Sequence, residues 1–273
     1  MKRLINLAPS PVLSTLLALL PFVLILLAYV AASDLRLEAN PNDKLLPSFS
    51  QIGDAIQRMA FEPSKRTGEY LFWQDTASSL QRLGLGVLIA ATLGLVLGIF
   101  TGALPLVNSG VSPLLTVVSL VPPLALLPIL FIVFGLGELS KVMLVAIGIT
   151  PVIARDIQRR TREIPAEQLV KAQTLGANTA QIMIRVLLPQ LLPKLIDAVR
   201  LSLGAGWLFL IAAEAIASTD GLGYRIFLVR RYMSMDVILP YVAWITLLAF
   251  LFDVALAWLS RKLFPWHAQG GSQ

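Results

Sequence analysis

Cysteine is absent from this chain of 273 residues, and histidine occurs once, at His267. Without cysteine the chain has no disulfide framework and no thiolate metal site. A single histidine near the C-terminus argues against a histidine-based catalytic or metal centre. The sequence therefore predicts no metal or cofactor bound by this chain.

Charged side chains are also scarce. They make up 14% of the residues, against about 25% in a typical soluble domain. The formal net charge is +6, but no basic run carries the interleaved exposed aromatics of a nucleic-acid-binding surface. Basic residues at the edges of membrane spans explain the charge better, so nucleic acid is not an expected partner.

The phosphate-binding pattern GxxxxGK[ST] is missing as well. Any ATP that the protein uses must therefore be hydrolysed by another chain. Gly-x-Gly triplets begin at Gly135, Gly204 and Gly221. None of them follows a predicted strand, so they are interpreted as turns or packing sites and not as dinucleotide loops.

Apolar side chains are abundant, at 56% of the residues. A soluble fold of this size could not bury so much apolar surface in one core, whereas a bilayer accommodates apolar helices of about 20 residues. The sequence predicts an all-α polytopic membrane protein with about six transmembrane helices. The predicted spans are 11–32, 76–103, 114–134, 140–153, 195–218 and 237–259.

The first predicted span has two interpretations. Its end, Val30-Ala31-Ala32, resembles the cleavage site of a secretory signal, but the apolar run is longer than the usual 7–15 residues of such signals. A retained span is favoured. In the polar segment that follows, helical spacing predicts one short amphipathic helix at the membrane surface, with its apolar face formed by Ile52, Ala55, Ile56 and Met59.

Two spans contain residues that affect helix packing. Small residues four apart in the second span let helix backbones approach closely: Gly94, Gly98 and Gly102. Prolines in the third span remove backbone donors and kink a helix: Pro122, Pro123 and Pro128. Because neighbouring helices or a cavity must compensate for lost hydrogen bonds in a membrane, the third span is predicted to be irregular and buried among others.

The segment 155–193 carries the largest basic cluster between spans, which places it in the cytoplasm. Pro165 suits the first turn of a helix, and Gly176 lies where a helix C-terminus needs a left-handed residue. Asn178, with Gln181 three residues on, predicts a capped second helix, which Pro189 and Pro193 are expected to end. Leu169, Ala172 and Leu175 are available to face a partner, so this helix–glycine–helix unit is interpreted as a docking element.

The residues of this loop resemble a known pattern. Val170-Lys171-Ala172-Gln173-Thr174-Leu175-Gly176-Ala177, then Ile182 and Leu187-Leu188-Pro189, look like the EAA loop of ABC importer permeases. Val170 and Lys171 depart from the Glu and Ala of that pattern. In that family the loop is the coupling helix that docks on the ATPase subunit. The resemblance thus assigns docking to Leu169, Ala172, Gln173, Thr174, Leu175, Gly176, Ala177 and Pro189.

Further motifs, in the same order along the chain, resemble the permeases for nitrate, sulfonate, taurine and bicarbonate. They are Ser79-Leu80-Gln81-Arg82, Val121-Pro122-Pro123-Leu124-Ala125, the run 134–141, Ala213-Glu214 with Gly221-Leu222-Gly223-Tyr224, and the ending 261–267, which is similar to taurine-type permeases in particular.

This resemblance implies a type I ABC importer permease fold and a division of labour among subunits. The implied partners are two ATPase subunits, which bind ATP and magnesium, an external solute-binding protein, and a second permease subunit. A homodimer is the simplest arrangement, and a heterodimer with a related permease stays open. A small anion is the first expectation for the substrate, and a small organic nutrient or vitamin precursor is the alternative.

The expected organisation follows. Residues 1–33 form a cytoplasmic tip and first span, 34–75 a periplasmic segment, 76–260 the permease core with the loop 155–193, and 261–273 a cytoplasmic tail. Cytoplasmic termini are favoured by the basic residues near the two ends, Lys2, Arg3, Arg261 and Lys262. The expected location of the protein is the inner membrane of a bacterium.

Ionisable residues in spans are costly and often functional. Glu214, late in the fifth span, is interpreted either as part of a gate or pathway or as a structural acid hydrogen-bonded to a loop at the outer edge. Pro122 and Pro123 are further pathway candidates. Asp197 and Arg200 are expected to pair on the helix surface, and Asp253 has Arg261 as an expected neighbour.

Two other classes of function were weighed. An ATP-independent transporter predicts inverted repeats and charged relays within spans, and no repeat is evident. An intramembrane enzyme needs a catalytic cluster at membrane depth, which a chain with its one histidine in the tail does not suggest.

Overall fold

The computed structural model of the chain describes residues 10–41, 43–65 and 68–266. Lys2, Arg3, His267 and the end of the predicted tail lie outside the described residues. Cytoplasmic placement of the termini and the signal-peptide alternative for the first span therefore stay predictions.

The described residues form eleven α-helices joined by short connections. These are α1 (Pro11–Ala39), α2 (Phe49–Ile56), α3 (Leu71–Ala103), α4 (Pro105–Leu120), α5 (Leu127–Phe134), α6 (Glu138–Arg162), α7 (Ala166–Thr174), α8 (Thr179–Ile182), α9 (Leu188–Ala217), α10 (Leu222–Arg230) and α11 (Met235–Leu263).

Four stretches of this helical chain are long and apolar enough to cross a membrane: α1, α3, the continuous run from Thr179 to Ala217, and α11. The pair formed by α4 and α5 with its preceding turn counts as a fifth if it is one broken span. Helix α6 corresponds to the fourth predicted span, 140–153. It is long enough to cross at 25 residues, but only 142–154 are uncharged, because charges gather at its two ends.

Helices α3, α6 and α9 form the centre of the bundle. The predicted packing role of the small residues in α3 is confirmed, because Gly94, Gly98 and Gly102 all face α6. A Cβ atom at Gly98 would lie 2.6 Å from the Cβ of Ile157, which is inside van der Waals contact. Glycine therefore allows α3 and α6 to approach along their length.

The third span is irregular, as predicted from its prolines. It is broken by an 87° bend between α4 and the turn that begins α5. Pro122 is extended there (φ −62°, ψ 119°), since the following Pro123 disfavours the helical region for the residue before it. The stretch 105–110, between the second and third predicted spans, is helical, because Pro105 occupies the first turn of α4, where its missing N–H is no loss. In this chain α4 and α5 bury only Leu115, Leu127 and Leu130, so the chain's own helices do not provide the expected burial.

The prediction that Pro189 and Pro193 end the second loop helix is wrong. Helical structure continues from Thr179 to Ala217. A widened turn of π-helix at Met183–Leu187 precedes Pro189, which lies in the first turn of α9. The widened turn accommodates the proline ring, which would otherwise clash with the carbonyl four residues back.

The predicted amphipathic helix is confirmed as α2, which begins with a capping box between Ser48 and Gln51. Protein, however, covers its apolar face. Ala55 is buried and packs with Ile56 and Met59 toward Phe72 of α3 and Tyr241 of α11. The helix is therefore part of the bundle and does not rest its apolar face on lipid.

Candidate functional sites at the two ends of the bundle

The loop between α6 and α9 has a defined shape because backbone hydrogen bonds close the end of α7. The N–H of Gly176 donates to the carbonyl of Gln173 at 2.9 Å, and that of Ala177 donates to the carbonyl of Ala172 at 3.0 Å. This pair of bonds is a Schellman motif. Its left-handed residue is Gly176, at φ +82°, as predicted from the sequence.

The second half of the loop is fixed by side chains. Asn178 Oδ1 accepts from the N–H of Gln181 at 2.8 Å, and Gln181 Oε1 accepts from the N–H of Asn178 at 2.9 Å. The predicted capping box is thereby confirmed. Gln190 of α9 donates to Gln168 of α7 at 3.0 Å, so the loop is tied to the helix that follows it.

The apolar side chains of the loop divide between two faces. Leu169 is half-buried against the chain's own core, and Ala172, three residues on, lies half-buried on the same face. Leu175 is 88% exposed. Of the three side chains expected to face a partner, only Leu175 is therefore fully available. Gln173, Thr174, Gly176 and Pro189 are also exposed, and Ala177 is half-buried.

A polar cluster lies at the opposite end of the bundle, beside the start of α6. Glu138 and Arg162 bound α6, and their separation along the helix is about 36 Å at 1.5 Å per residue. One face of α3 presents three side chains at helical spacing: Asp75, Ser79 and Arg82. All three are buried, with exposed fractions of 3% or less.

Glu214 of α9 is the centre of this cluster and is completely buried. It accepts hydrogen bonds from Arg82 Nη1 at 2.8 Å, Ser79 Oγ at 2.8 Å and the N–H of Gly223 at 2.8 Å. Because burying an unpaired charge is costly, this carboxylate is retained by its pairing. No charged partner of Glu214 was identified from the sequence.

The cluster holds the N-terminus of α10. The N–H groups of Gly221, Leu222 and Gly223 donate to Asp75, Ser79 and Glu214, at 2.9, 2.8 and 2.8 Å. Helix N-termini leave such donors free, and here α3 and α9 satisfy them. Gly221 is at φ +112°, and a Cβ atom there would lie 2.5 Å from the Glu214 carboxylate, so only glycine fits.

Two cations extend the cluster to other elements. Arg82 also bonds Glu138 of α6 at 2.8 Å and the carbonyl of Asp220 at 3.0 Å, and it pairs with the Asp220 carboxylate. Arg225 of α10 pairs with Asp75 at 2.7 Å. Asp75 also accepts from the hydroxyl of Tyr241 at 3.0 Å. The cluster thus joins α3, α6, α9, α10 and α11.

Sequence reasoning quoted Arg82 only as part of a motif and assigned no role to Asp75, Arg225 or Tyr241. The available signal was Arg82, a charged side chain inside the predicted span 76–103, since such a group needs a partner. The partner could not be identified, because Glu214 lies 132 residues further along the chain.

The remaining sequence-predicted residues lie elsewhere. Asp197 pairs with Arg200 at 3.7 Å, as expected. Asp253 pairs with Arg200 at 2.8 Å and not with Arg261, because packing of α9 on α11 brings Arg200 closer. Pro122 and Pro123 form the bend after α4. The predicted pathway role of these prolines and of Glu214 stays a prediction.

The end of the bundle that holds the polar cluster also has a polar cleft of about 820 Å³, lined by α2 and the start of α11. Arg58 and Asp236 face each other across it at 3.5 Å. Asp43 lines the cleft too, and a hydrogen bond from Arg36 lowers the pKa of its carboxyl group. Among residues 10–41, 43–65 and 68–266, no group of three or more acidic, histidine or cysteine side chains could hold a metal ion.

Comparison with known proteins identifies the family. The family described as "Binding-protein-dependent transport system inner membrane component" matches residues 84–265. The chain is 38% identical over 197 residues to the taurine transport system permease protein TauC of Escherichia coli (strain K12), covering 72% of each protein. It is 32% identical to the bicarbonate transport system permease protein CmpB of Synechococcus elongatus, covering 70% of this chain and 69% of the relative.

The fold is similar to that of a solved transporter. An inward-facing structure of the MetNI methionine ABC transporter matches with a TM-score of 0.64 at 22% identity, over 73% of this chain and 98% of that one. This similarity concerns the fold alone. Together, the helical architecture and the relatives show that the chain belongs to the binding-protein-dependent transport system inner membrane component family, within the nitrate, sulfonate, taurine and bicarbonate group of ABC importer permeases.

Proposed function

We propose that this chain is the membrane subunit of an ATP-driven importer, that two copies form the translocation path, and that the loop at 164–178 docks on an ATPase subunit. The exposed, hydrogen-bonded loop carries the proposal. A Schellman motif and a capping box hold it in one shape, while Leu175 is left 88% exposed. Such a rigid apolar projection fits a groove on a partner protein.

Alternating access provides the mechanism. ATP binding in the partner subunits draws the docked loops together, and α6 and α9, which begin or end at the loop, transmit the displacement through the bundle. The polar cleft at the opposite end of the bundle, lined by α2 and the start of α11, suits a solute-binding protein, which we place over it. Binding of the loaded solute-binding protein can shift the conformational equilibrium only by its differential affinity for the two states.

A small anion is the proposed substrate. The names of the relatives support this, because they include taurine and bicarbonate permeases and a nitrate import permease of Leptolyngbya laminosa at 28% identity. A small organic nutrient is the alternative. Calorimetric titration of the purified solute-binding protein with taurine, nitrate, bicarbonate and neutral nutrients distinguishes the two.

The docking proposal is tested by co-expressing the chain with its ATPase and solute-binding protein and purifying through a tag on this chain. Leu175→Asp places a charge in the docking surface, and Gly176→Trp adds bulk beside it. We expect both variants to lose the ATPase subunit or its substrate-stimulated activity. For Leu175→Asp the loss should be about 100-fold, because a desolvated charge costs about 3 kcal/mol.

Tyr232→Asp is the matched control, since Tyr232 is 66% exposed and lies in the turn between α10 and α11, away from the loop. It should co-purify with the ATPase as the wild type does. Full retention of the ATPase by Leu175→Asp and Gly176→Trp would contradict the docking role and favour an ATP-independent transporter.

A further inference from the structure

A second cluster of charges, which the proposed function does not use, lies near the loop end of α6. Its arginines line a cleft of about 470 Å³ together with Asp156 and Gln158: Arg155, Arg159 and Arg162. Arg159 and Arg160 share the single carboxylate of Asp156, at 2.8 and 2.6 Å. This leaves the charges of Arg155 and Arg162 to be accounted for.

Neither of these two arginines has an acidic partner among the described residues. Arg155 Nη1 donates to the Ser119 hydroxyl at 2.9 Å, and Arg162 donates to the side-chain oxygen of Asn108. Each guanidinium has five N–H donors, and each of these contacts uses one of them. Both arginines therefore keep their charge and most of their donors available.

Neutral polar groups of α4 lie beside the cleft and bond to Gln158 of α6, which lines it. Gln158 is only 8% exposed, and its amide donates to Asn108 at 2.9 Å and to Ser112 at 3.3 Å. These bonds hold α4 against α6 and keep Arg155 and Arg162, seven residues apart on one face, at the rim. The one carboxylate that lines the cleft, Asp156, is paired with Arg159 and Arg160, so the two guanidinium groups at the rim are not neutralised by it.

Depth decides which anions can reach the cleft. Arg155 lies about 26 Å along α6 from Glu138 and Arg162 about 36 Å, at 1.5 Å per residue. A hydrocarbon core is about 30 Å thick. With the charged Glu138 taken as its opposite boundary, Arg155 lies just inside the loop-side edge of the core and Arg162 lies in the headgroup layer. Basic pockets between helices at this depth recognise anionic headgroups.

We propose that the cleft between α4 and α6 binds an oxyanion, supplied by the phosphate of an anionic phospholipid in the leaflet on the loop side. The side of the membrane rests on the proposed function, whereas the binding chemistry does not. Arginine suits the site because its planar fork binds phosphate oxygens with two parallel hydrogen bonds.

The test uses the full chain in mixed micelles with equal amounts of phosphatidylglycerol and phosphatidylcholine, and retained lipid is counted by native mass spectrometry. The wild type should prefer phosphatidylglycerol. Arg155→Gln/Arg162→Gln should lower that preference roughly tenfold or more, because each of the two arginines strengthens the binding of an anionic headgroup. Arg230→Gln/Arg231→Gln, with the same change of charge at the other end, should retain it.

A soluble oxyanion is distinguished by calorimetry with inorganic phosphate. Phosphate binding to the wild type but not to Arg155→Gln/Arg162→Gln, with equal lipid retention by both, would support the oxyanion site and assign a soluble ligand to it. If neither lipid preference nor phosphate binding differs between these two proteins, the site is disproved.

Two further variants keep the outcome interpretable. Arg162→Gln alone, at the loop end of the cleft, serves if the double variant does not fold, and it should lose part of the preference. Leu175→Asp should keep the full lipid preference even if it loses the ATPase, so failure of the docking proposal and failure of this one are separable.

Discussion

Glu214 and Arg82 show how a single residue pair stabilises this bundle. Both side chains are almost completely buried, at 0% and 3% exposed, and the carboxylate receives four hydrogen bonds from three donor groups. Replacing a whole buried pair by neutral groups is often tolerated, whereas removing one partner leaves an uncompensated charge. The pair is therefore sensitive to single substitutions.

Arg82→Gln should lower the free energy of unfolding by about 3 kcal/mol or more, because Glu214 would be left buried without its cation. Arg82→Gln/Glu214→Gln should recover part of that loss. The measurement is denaturant unfolding of the detergent-solubilised chain. Arg231→Gln, which is exposed, should change it by less than about 0.5 kcal/mol. Equal stability of Arg82→Gln and the wild type would show that the pair does not stabilise the fold.

At the scale of elements, the contact between α3 and α6 depends on the small residues of α3. The backbone carbonyl of Ala154 would lie 2.9 Å from a Cβ atom at Gly98. Since backbone cannot move aside as a side-chain tip can, the two helices would have to separate. Sequence reasoning predicted the role of these glycines, although not the helix that they face.

Gly98→Ala should lower the free energy of unfolding by about 2 kcal/mol through overpacking. Gly84→Ala on the same helix is the matched control, because a Cβ atom there meets nothing within 4 Å. It should be neutral or stabilise the chain by up to about 1 kcal/mol. Both are measured by the same unfolding experiment. A Gly98→Ala variant as stable as Gly84→Ala would refute the close approach of α3 and α6.

At the scale of the whole molecule, the polar cluster decides whether α10 moves during transport. It ties the N-terminus of α10 to α3 and α9 through backbone and side-chain bonds. Breaking these bonds would leave several buried polar groups without hydrogen-bond partners, at a free-energy cost of about 1–3 kcal/mol each. We therefore expect α10 to move with α3 and α9 as one body, which favours the structural interpretation of Glu214 over the gate.

Cysteine cross-linking tests this rigid-body prediction, and the chain has no cysteine of its own. Ser78→Cys/Asp220→Cys places thiols where the two side chains now contact at 3.0 Å. Oxidation in the assembled transporter should leave substrate-stimulated ATP hydrolysis within about twofold of the reduced form, a difference of less than 0.5 kcal/mol. Each single-cysteine variant is the control. Loss of activity on oxidation, restored by reduction, would instead identify α10 as a moving gate.

Local features of this chain could be predicted because they depend on neighbouring residues. Apolar runs of membrane length, the left-handed Gly176, the capping box at Asn178 and the amphipathic α2 are all consequences of backbone geometry and of side chains within a few positions. The proline-rich third span was only partly predictable, since proline indicates a break but neighbouring helices determine its angle. Pro189 was misjudged because a widened helical turn before it accommodates its ring, and α9 also continues through Pro193.

Long-range pairing was decided only when the helices packed. The partners of Glu214, Asp75 and Asp253 come from distant parts of the chain, and no local pattern specifies which of several charged side chains will meet. The same holds for the arginine cleft, where Arg155 and Arg162 stand out because the Asp156 carboxylate is paired with Arg159 and Arg160. Composition and spacing thus account for the helices and the family, while packing, which sets burial and distance, accounts for the polar sites.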